Sequence, residues 1–157
     1  EKFKGQFDIV LCHNVLYHAD DKDKALKNLK ECLNKNVNSF CSITTNSEKH
    51  MLNVYEIGRN LDKNFPIDRI IDSFTEEVAD ELLKNHFQLE KKVEEEELRV
   101  TDWETLEGFV ASGVEPRGIK LVSDFYENYK KVYDQQFKQN GYFKIIKRSP
   151  LYICKIK

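Results

Sequence analysis

The run Ile9-Val10-Leu11-Cys12, closed abruptly by His13-Asn14 and followed by Val15-Leu16-Tyr17-His18, constrains the fold more than any other stretch of this chain. Uninterrupted apolar residues over the length of a strand predict burial on both faces, as in a parallel sheet covered by helices. A half-solvated antiparallel strand would alternate instead. The expected fold class is therefore α/β. In open α/β sheets ligands sit beyond the carboxyl ends of strands, which makes Cys12, His13, Asn14, Leu16, Tyr17 and His18 the first candidate site residues.

The following residues extend that pattern. Asp20 or Asp21 can cap a helix in which Ala25, Leu26, Leu29, Cys32 and Leu33 recur at helical spacing, the crossover a parallel sheet needs. Asn34 to Asn38 then turn the chain, with asparagine as the residue that best replaces glycine in left-handed backbone. Ser39 to Thr45 predicts the next parallel strand, ending in Thr44-Thr45-Asn46-Ser47 at the same sheet edge as Asn14. Ser47 is placed to cap a helix carrying Met51, Val54, Tyr55, Gly58 and Leu61 on one face, with His50 near its amino end. That helix is expected to wall a substrate pocket.

Ser73-Phe74-Thr75-Glu76 and Thr101-Asp102-Trp103-Glu104 have the form of capping boxes opening two more helices, the second stopped by Gly113. Between them Gln88 to Val100 predicts a strand. Its Glu94-Glu95-Glu96-Glu97 run reads either as a solvated edge or as a site for a cationic partner. Ile119 to Gln139 predicts a long helix with an aromatic stripe through Phe125, Tyr126, Tyr129, Tyr133 and Phe137. Two strands, Tyr142 to Ile146 and Leu151 to Ile156, are expected to turn through Arg148-Ser149-Pro150.

The chain has 157 residues, enough for one domain with one core. With 25 basic and 27 acidic residues the formal charge is −2, so there is no global electrostatic case for nucleic acid. No apolar run reaches the ~20 residues that cross a bilayer. Cys12, Cys32, Cys41 and Cys154 show no framework or zinc spacing, so reduced thiols, no metal site and a cytoplasmic location are expected. The absence of an initiator Met reads as an excised or truncated piece.

Phe7-Asp8, Val10 and the pair Leu16 and His18 fit the frame Phe-Asp-x-Val followed by Leu-x-His. The closing Lys147-Arg148-Ser149-Pro150-Leu151-Tyr152-Ile153-Cys154 is similar to a final hairpin of the same family. By these motifs the chain resembles the class I S-adenosylmethionine-dependent methyltransferases, in particular the branch acting on ubiquinone and menaquinone precursors. A Pro-Gly-Gly turn usual in that family is replaced here by the asparagine-rich turn.

The resemblance implies a single partial domain over 1–157: the second half of a Rossmann-like methyltransferase sheet, mixed through a late antiparallel strand, with helices on both faces. It implies S-adenosylmethionine as cofactor and a small or medium-sized acceptor. Cys12, His13, Asn14 and Leu16 would wall the methionine end, and Leu16 and Tyr17 would shape the methyl channel. Tyr17, Asn46, His50 and Tyr55 would contact the acceptor. His18 is either a general base or hydrogen-bonding group toward substrate, or a structural histidine fastening its loop.

Methyl transfer is an in-line displacement governed by positioning and exclusion of water, so no fixed acid-base signature is needed. The family's Gly-rich loop and ribose-binding acidic residue have no counterpart in the sequence. The chain alone is therefore expected to bind the cofactor poorly, with a non-catalytic binding or subunit-association module as the alternative. An uncovered sheet edge would also invite a homodimer.

Overall fold

The computed structural model describes residues 3–36, 38–66 and 73–157. The chain order is β1 (Ile9–His13), α1 (Lys22–Cys32), β2 (Phe40–Thr44), α2 (Leu52–Leu61), α3 (Glu76–His86), β3 (Phe87–Val100), α4 (Trp103–Val114), α5 (Phe125–Asn140) and β4 (Phe143–Ile156). The four strands form one mixed sheet in the order β1-β2-β4-β3. β1 pairs parallel with β2, Ile9 opposite Phe40 through His13 opposite Thr44, and β2 pairs antiparallel with β4, Phe40 opposite Lys155 through Thr44 opposite Leu151. This is the α/β sheet that the apolar runs predict, mixed as the family resemblance implies, with the last strand inserted between its predecessors.

Two compact units emerge, each with its own cluster of buried apolar residues. The first comprises residues 1–50, 69–95 and 148–157, and the second 51–68 and 96–147. Leu26, Leu33, Cys41, Ile43, Phe74, Ala79, Leu83, Phe87, Tyr152 and Cys154 form the core of the first. Paired strand residues point the same way across a sheet. Val10 with Cys41 and Cys154, and Cys12 with Ile43 and Tyr152, therefore turn one sheet face into this core, where α1 and α3 pack.

The opposite face of β1 departs from expectation: Ile9 is 52% and Leu11 67% exposed. The apolar run does form a strand, but among the described residues only one of its faces is covered.

α1 begins where Asp21 accepts the Lys24 amide at 2.8 Å. Its carboxyl-terminal carbonyls are capped from the segment ahead of β1, with Gly5 N–H donating to Glu31 O and the amides of Gln6 and Phe7 donating to Cys32 O. The asparagines of the following turn act through their side chains and not through left-handed backbone. Asn34 Oδ1 accepts the Asn36 amide at 2.8 Å and the Ser39 hydroxyl, while its Nδ2 donates to Asp8. Val37 lies outside the described residues.

Several predicted boundaries move. α2 has Met51 in left-handed backbone at its amino end, and Ser47 does not cap it; Ser47 Oγ instead donates to Glu77 at 2.9 Å. The cap of α3 is Thr75, since Ser73 Oγ donates to Tyr17 O, and the cap of α4 is Asp102. Gly113 lies within α4, which continues into a turn ended by Gly118 at φ 62°. α5 starts at Phe125, not Ile119, and the expected terminal hairpin is one continuous strand. Pro150 is tolerated there because it falls just outside the ladder with β2, whose last pair is Thr44 with Leu151.

The second unit gathers Val54, Phe65, Leu106, Val110, Phe125, Tyr129, Tyr133 and Phe143. The aromatic stripe of α5 is mostly core: Phe65 stacks on Phe125 at 5.4 Å, Tyr133 on Phe143 at 6.1 Å, and the Tyr129 hydroxyl donates to Val54 O at 2.9 Å. Burial pushes the Tyr129 phenol well above its ordinary pKa.

The acidic run lies on β3, the outer strand of the sheet, with Glu94, Glu95 and Glu96 exposed, as the solvated-edge reading expects. In the first unit Glu94 meets Lys92 at 2.7 Å and Glu95 meets Arg148 at 3.5 Å; in the second Glu96 meets Lys147 at 3.5 Å, and Glu97 meets Lys144 at 2.8 Å and Arg99 at 3.0 Å. The cations of β3 and β4 answer it residue by residue.

Candidate functional site

The carboxyl ends of β1 and β2 are adjacent by parallel pairing, and the chain marks that edge with a conformational break. Asn14 adopts left-handed backbone at φ 51°, a conformation asparagine accepts more readily than other residues with a Cβ, and its N–H donates to Thr44 O at 3.0 Å. The turn aims the following residues away from the ladder. His13 faces the open side of the sheet, where its Nε2 lies 2.8 Å from Ser42 Oγ. Thr44 Oγ1, on that same side, is buried with no hydrogen-bond partner among the described residues. An orphaned hydroxyl between two strand ends offers a polar ligand one hydrogen bond there.

Side chains of the candidate cofactor set divide. The Cys12 thiol packs toward the α1 and α3 core, and burial raises its pKa. Only the backbone of Cys12 is thus available at the edge. Leu16 is 4% exposed and sits in the same core, so its side chain cannot form a channel wall at the open edge, as the sequence reading expects. His13 and Asn14 are exposed.

Tyr17 is half-buried with its carbonyl held by Ser73 Oγ at 2.9 Å. His18 is exposed, its ring 4.6 Å from that of Tyr17, and its amide closes the turn onto Val15 O. The loop thus has an internal fastening, while the imidazole itself remains accessible.

After β2, Asn46 Oδ1 accepts the Ser149 hydroxyl at 2.8 Å, and the Asn46 carbonyl accepts the Glu76 amide at 2.9 Å. His50 Nδ1 lies 3.3 Å from the Arg148 amide, 3.2 Å from the Arg148 carbonyl and 3.5 Å from Ser149 Oγ. Ser149 therefore brings Asn46 and His50 together. Tyr55 belongs to the second unit, where it packs near Phe65.

Beneath this edge lies an ionic cluster that sequence reasoning does not single out. Glu76, with a side chain 6% exposed, receives Arg148 Nε at 2.8 Å and Nη2 at 3.0 Å, and Lys91 Nζ at 2.9 Å. Burial opposes ionisation of Glu76, yet hydrogen bonds from Arg148 and Lys91 outweigh it and hold the carboxyl below its ordinary value. Lys91 also meets Asp80 at 2.7 Å, and Asp80 accepts the Tyr152 hydroxyl at 2.7 Å. The signal for Glu76 was its place in an apparent capping box, where an acidic residue has an ordinary explanation.

Among the described residues no group of three or more His, Cys, Asp or Glu side chains is arranged to hold a metal ion, and no helix is long and apolar enough to cross a membrane.

A family model described as a methyltransferase domain matches residues 2–41, the stretch from the segment before β1 into β2. No curated protein matches the sequence. Among solved structures, a candidate methyltransferase from Bacillus halodurans C-125 aligns at a TM-score of 0.52 and 11% identity, covering 98% of this chain and 72% of that one. The YcgJ protein from Bacillus subtilis aligns at 0.50 and 13%, covering 98% and 66%. The MccD protein aligns at 0.49 and 17%, covering 98% and 62%. The chain thus spans about two thirds of the length of these proteins. The mixed α/β fold is similar to that of the Bacillus halodurans and Bacillus subtilis proteins.

Two parallel strand ends, a left-handed turn and an orphaned hydroxyl form one side of a ligand edge. They do not supply an enclosing glycine cradle. Of the six glycines only Gly58 is closely packed, and it meets the Phe65 ring in the second unit, not a strand-to-helix loop at this edge.

Proposed function

We propose that this chain is the carboxy-terminal portion of an S-adenosylmethionine-dependent methyltransferase acting on a small or medium-sized acceptor in the cytoplasm. The observation that carries the reading is the join of Asn14 N–H to Thr44 O, which sets two parallel strand ends side by side over the unsatisfied Thr44 hydroxyl. Agreement of residues 2–41 with a methyltransferase-domain model supports it from the sequence side.

When bound, the cofactor supplies an electrophilic methyl group on a sulfonium. The backbone of Cys12, His13 and Asn14 forms one lip, excluding water on that side, and Thr44 Oγ1 offers it a hydrogen bond. Tyr17, Asn46 and His50 face the acceptor, with Ser149 fixing the latter two. His18 is the exposed group able to take a proton from an acceptor hydroxyl or amine. The other lip comes from sequence ahead of β1, whose uncovered Ile9 and Leu11 face is where it would pack; without it the chain is inactive. Where that lip is missing, the same apolar edge promotes self-association.

The test is calorimetric titration of the polypeptide carrying its amino-terminal portion with S-adenosylmethionine, followed by incubation with labelled cofactor and a panel of small nucleophiles. Saturable heat and a methylated product are expected. Titration without heat would refute the reading, and binding without product from any acceptor would favour a non-catalytic module.

A further inference from the structure

At the other end of the first unit, the amino edge of β1 and β2, lies a cleft of about 960 Å³. Its lining carries Lys4, Lys27, Lys30, Lys35 and Lys155 against the single carboxylate of Glu31. These lysines come from four separate segments: the stretch before β1, the α1 helix, the asparagine-rich turn and the end of β4. A cation in the last turn of α1 is explained by the helix dipole, which accounts for Lys30 but not for Lys27, midway along the helix. It does not account for Lys35 or Lys155, which reach the same space from elsewhere.

Partners among the described residues neutralise only part of this charge. Lys4 meets Glu31 at 3.6 Å and Lys155 meets Glu90 at 2.7 Å. Lys30 is held by neutral groups, its Nζ donating to His86 O at 2.9 Å and lying 5.9 Å from the centre of the Phe87 ring. Lys27 and Lys35 form no ion pair among the described residues. In a chain of net charge −2 this is a local excess of positive charge, and a concave wall focuses its field. Leu33 and Ile156 give the cleft an apolar part, and Asn38, Ser39 and Gln88 give it hydrogen-bonding groups.

We infer that this cleft binds a small molecule bearing two or more phosphate groups, at a site separate from the proposed methyl-transfer edge. The volume is that of a site for a cofactor-sized ligand. Ammonium groups bind phosphate as point charges without the fixed fork of arginine, so a cluster of lysines suits adjacent phosphates of variable geometry. β2 separates the two edges by five residues, roughly 16 Å at the rise of a strand, so occupancy of one does not obstruct the other. The inference does not depend on the methyltransferase reading.

Tripolyphosphate is the probe, titrated into the protein by calorimetry, with Lys27→Glu/Lys35→Glu as the test variant and Lys92→Glu, outside the cleft, as the control. Both lysines changed in the test variant are exposed or without ion pairs, and circular dichroism checks that the fold survives. Saturable binding is expected in the parent and the control. In the double variant it weakens by about tenfold or more, and it weakens also as salt contracts the Debye length toward about 8 Å. Failure to saturate, or equal affinity in the double variant, overturns the inference. Co-sedimentation with phosphoinositide vesicles in the absence of tripolyphosphate binding overturns it as well, by assigning the cleft to a membrane surface.

Discussion

Arg148 lays Nε and Nη2 on the carboxylate of Glu76 at 2.8 and 3.0 Å, a two-pronged pair that ties β4 to the first turn of α3 directly under Asn46. Because the carboxylate is almost fully buried, losing its partner leaves a charge that water cannot reach. Arg148→Ala should therefore cost about 2–3 kcal/mol, below the roughly 3–5 kcal/mol of breaking a fully buried pair because the guanidinium is partly exposed and Lys91 remains. Urea denaturation of the two proteins checks this, and a loss below about 0.5 kcal/mol would mark the pair as a surface contact.

Glu97 gives the pH dependence. Hydrogen bonds from Lys144, Tyr142 and Arg99 pull its carboxyl down to about 2 in the folded protein. A carboxyl depressed on folding stabilises above its unfolded value, about 4.3, and the contribution disappears as pH falls through the folded value. The Tm should thus fall from about pH 4.3 toward pH 2, with Glu76 adding to the same trend. In Glu97→Gln the acid limb should be shallower, read by calorimetry across that range.

The two faces of the sheet should respond differently to truncation. Ile43 is fully buried, so Ile43→Ala should cost about 2–5 kcal/mol; Leu11→Ala, at 67% exposure, should change stability by no more than about 0.5 kcal/mol. The same Leu11 change should reduce self-association in sedimentation, because it removes an exposed apolar group from an edge strand.

Gly58 is packed against the Phe65 ring, and an added Cβ would clash with the ring carbons. Gly58→Ala ordinarily gains roughly 1 kcal/mol in a helix interior. Here overpacking at about 1–3 kcal/mol should outweigh that gain and lower the Tm. Phe65→Leu in the same chain should recover part of the loss.

The strands and helices legible in the sequence were those with a local cause. Asp21 caps α1 because its carboxylate is within reach of the Lys24 amide, and the β1 to β2 crossover follows from helical spacing between two apolar runs. What escaped was decided by distant partners. Leu16 reads as a site residue from its place beyond β1 and in the Leu-x-His frame, yet its side chain is buried in the core of the first unit. Ser47 has the chemistry of a cap but is engaged by Glu77, thirty residues on. Arg148 and Ser149 resembled a turn before Pro150, whereas Ser47 N–H and His50 satisfy that backbone and let β4 continue. The lysine cleft was hidden because its cations lie in segments remote in sequence.

The pairing of Asn14 with Thr44 as one lip of a cofactor cleft is tested most directly by amide hydrogen exchange. The protein carrying its amino-terminal portion is compared with and without saturating S-adenosylhomocysteine. Slowed exchange confined to the amides of 12–14 and 44–46 is the result this account predicts. Calorimetrically verified ligand binding with unchanged exchange at those amides would contradict it.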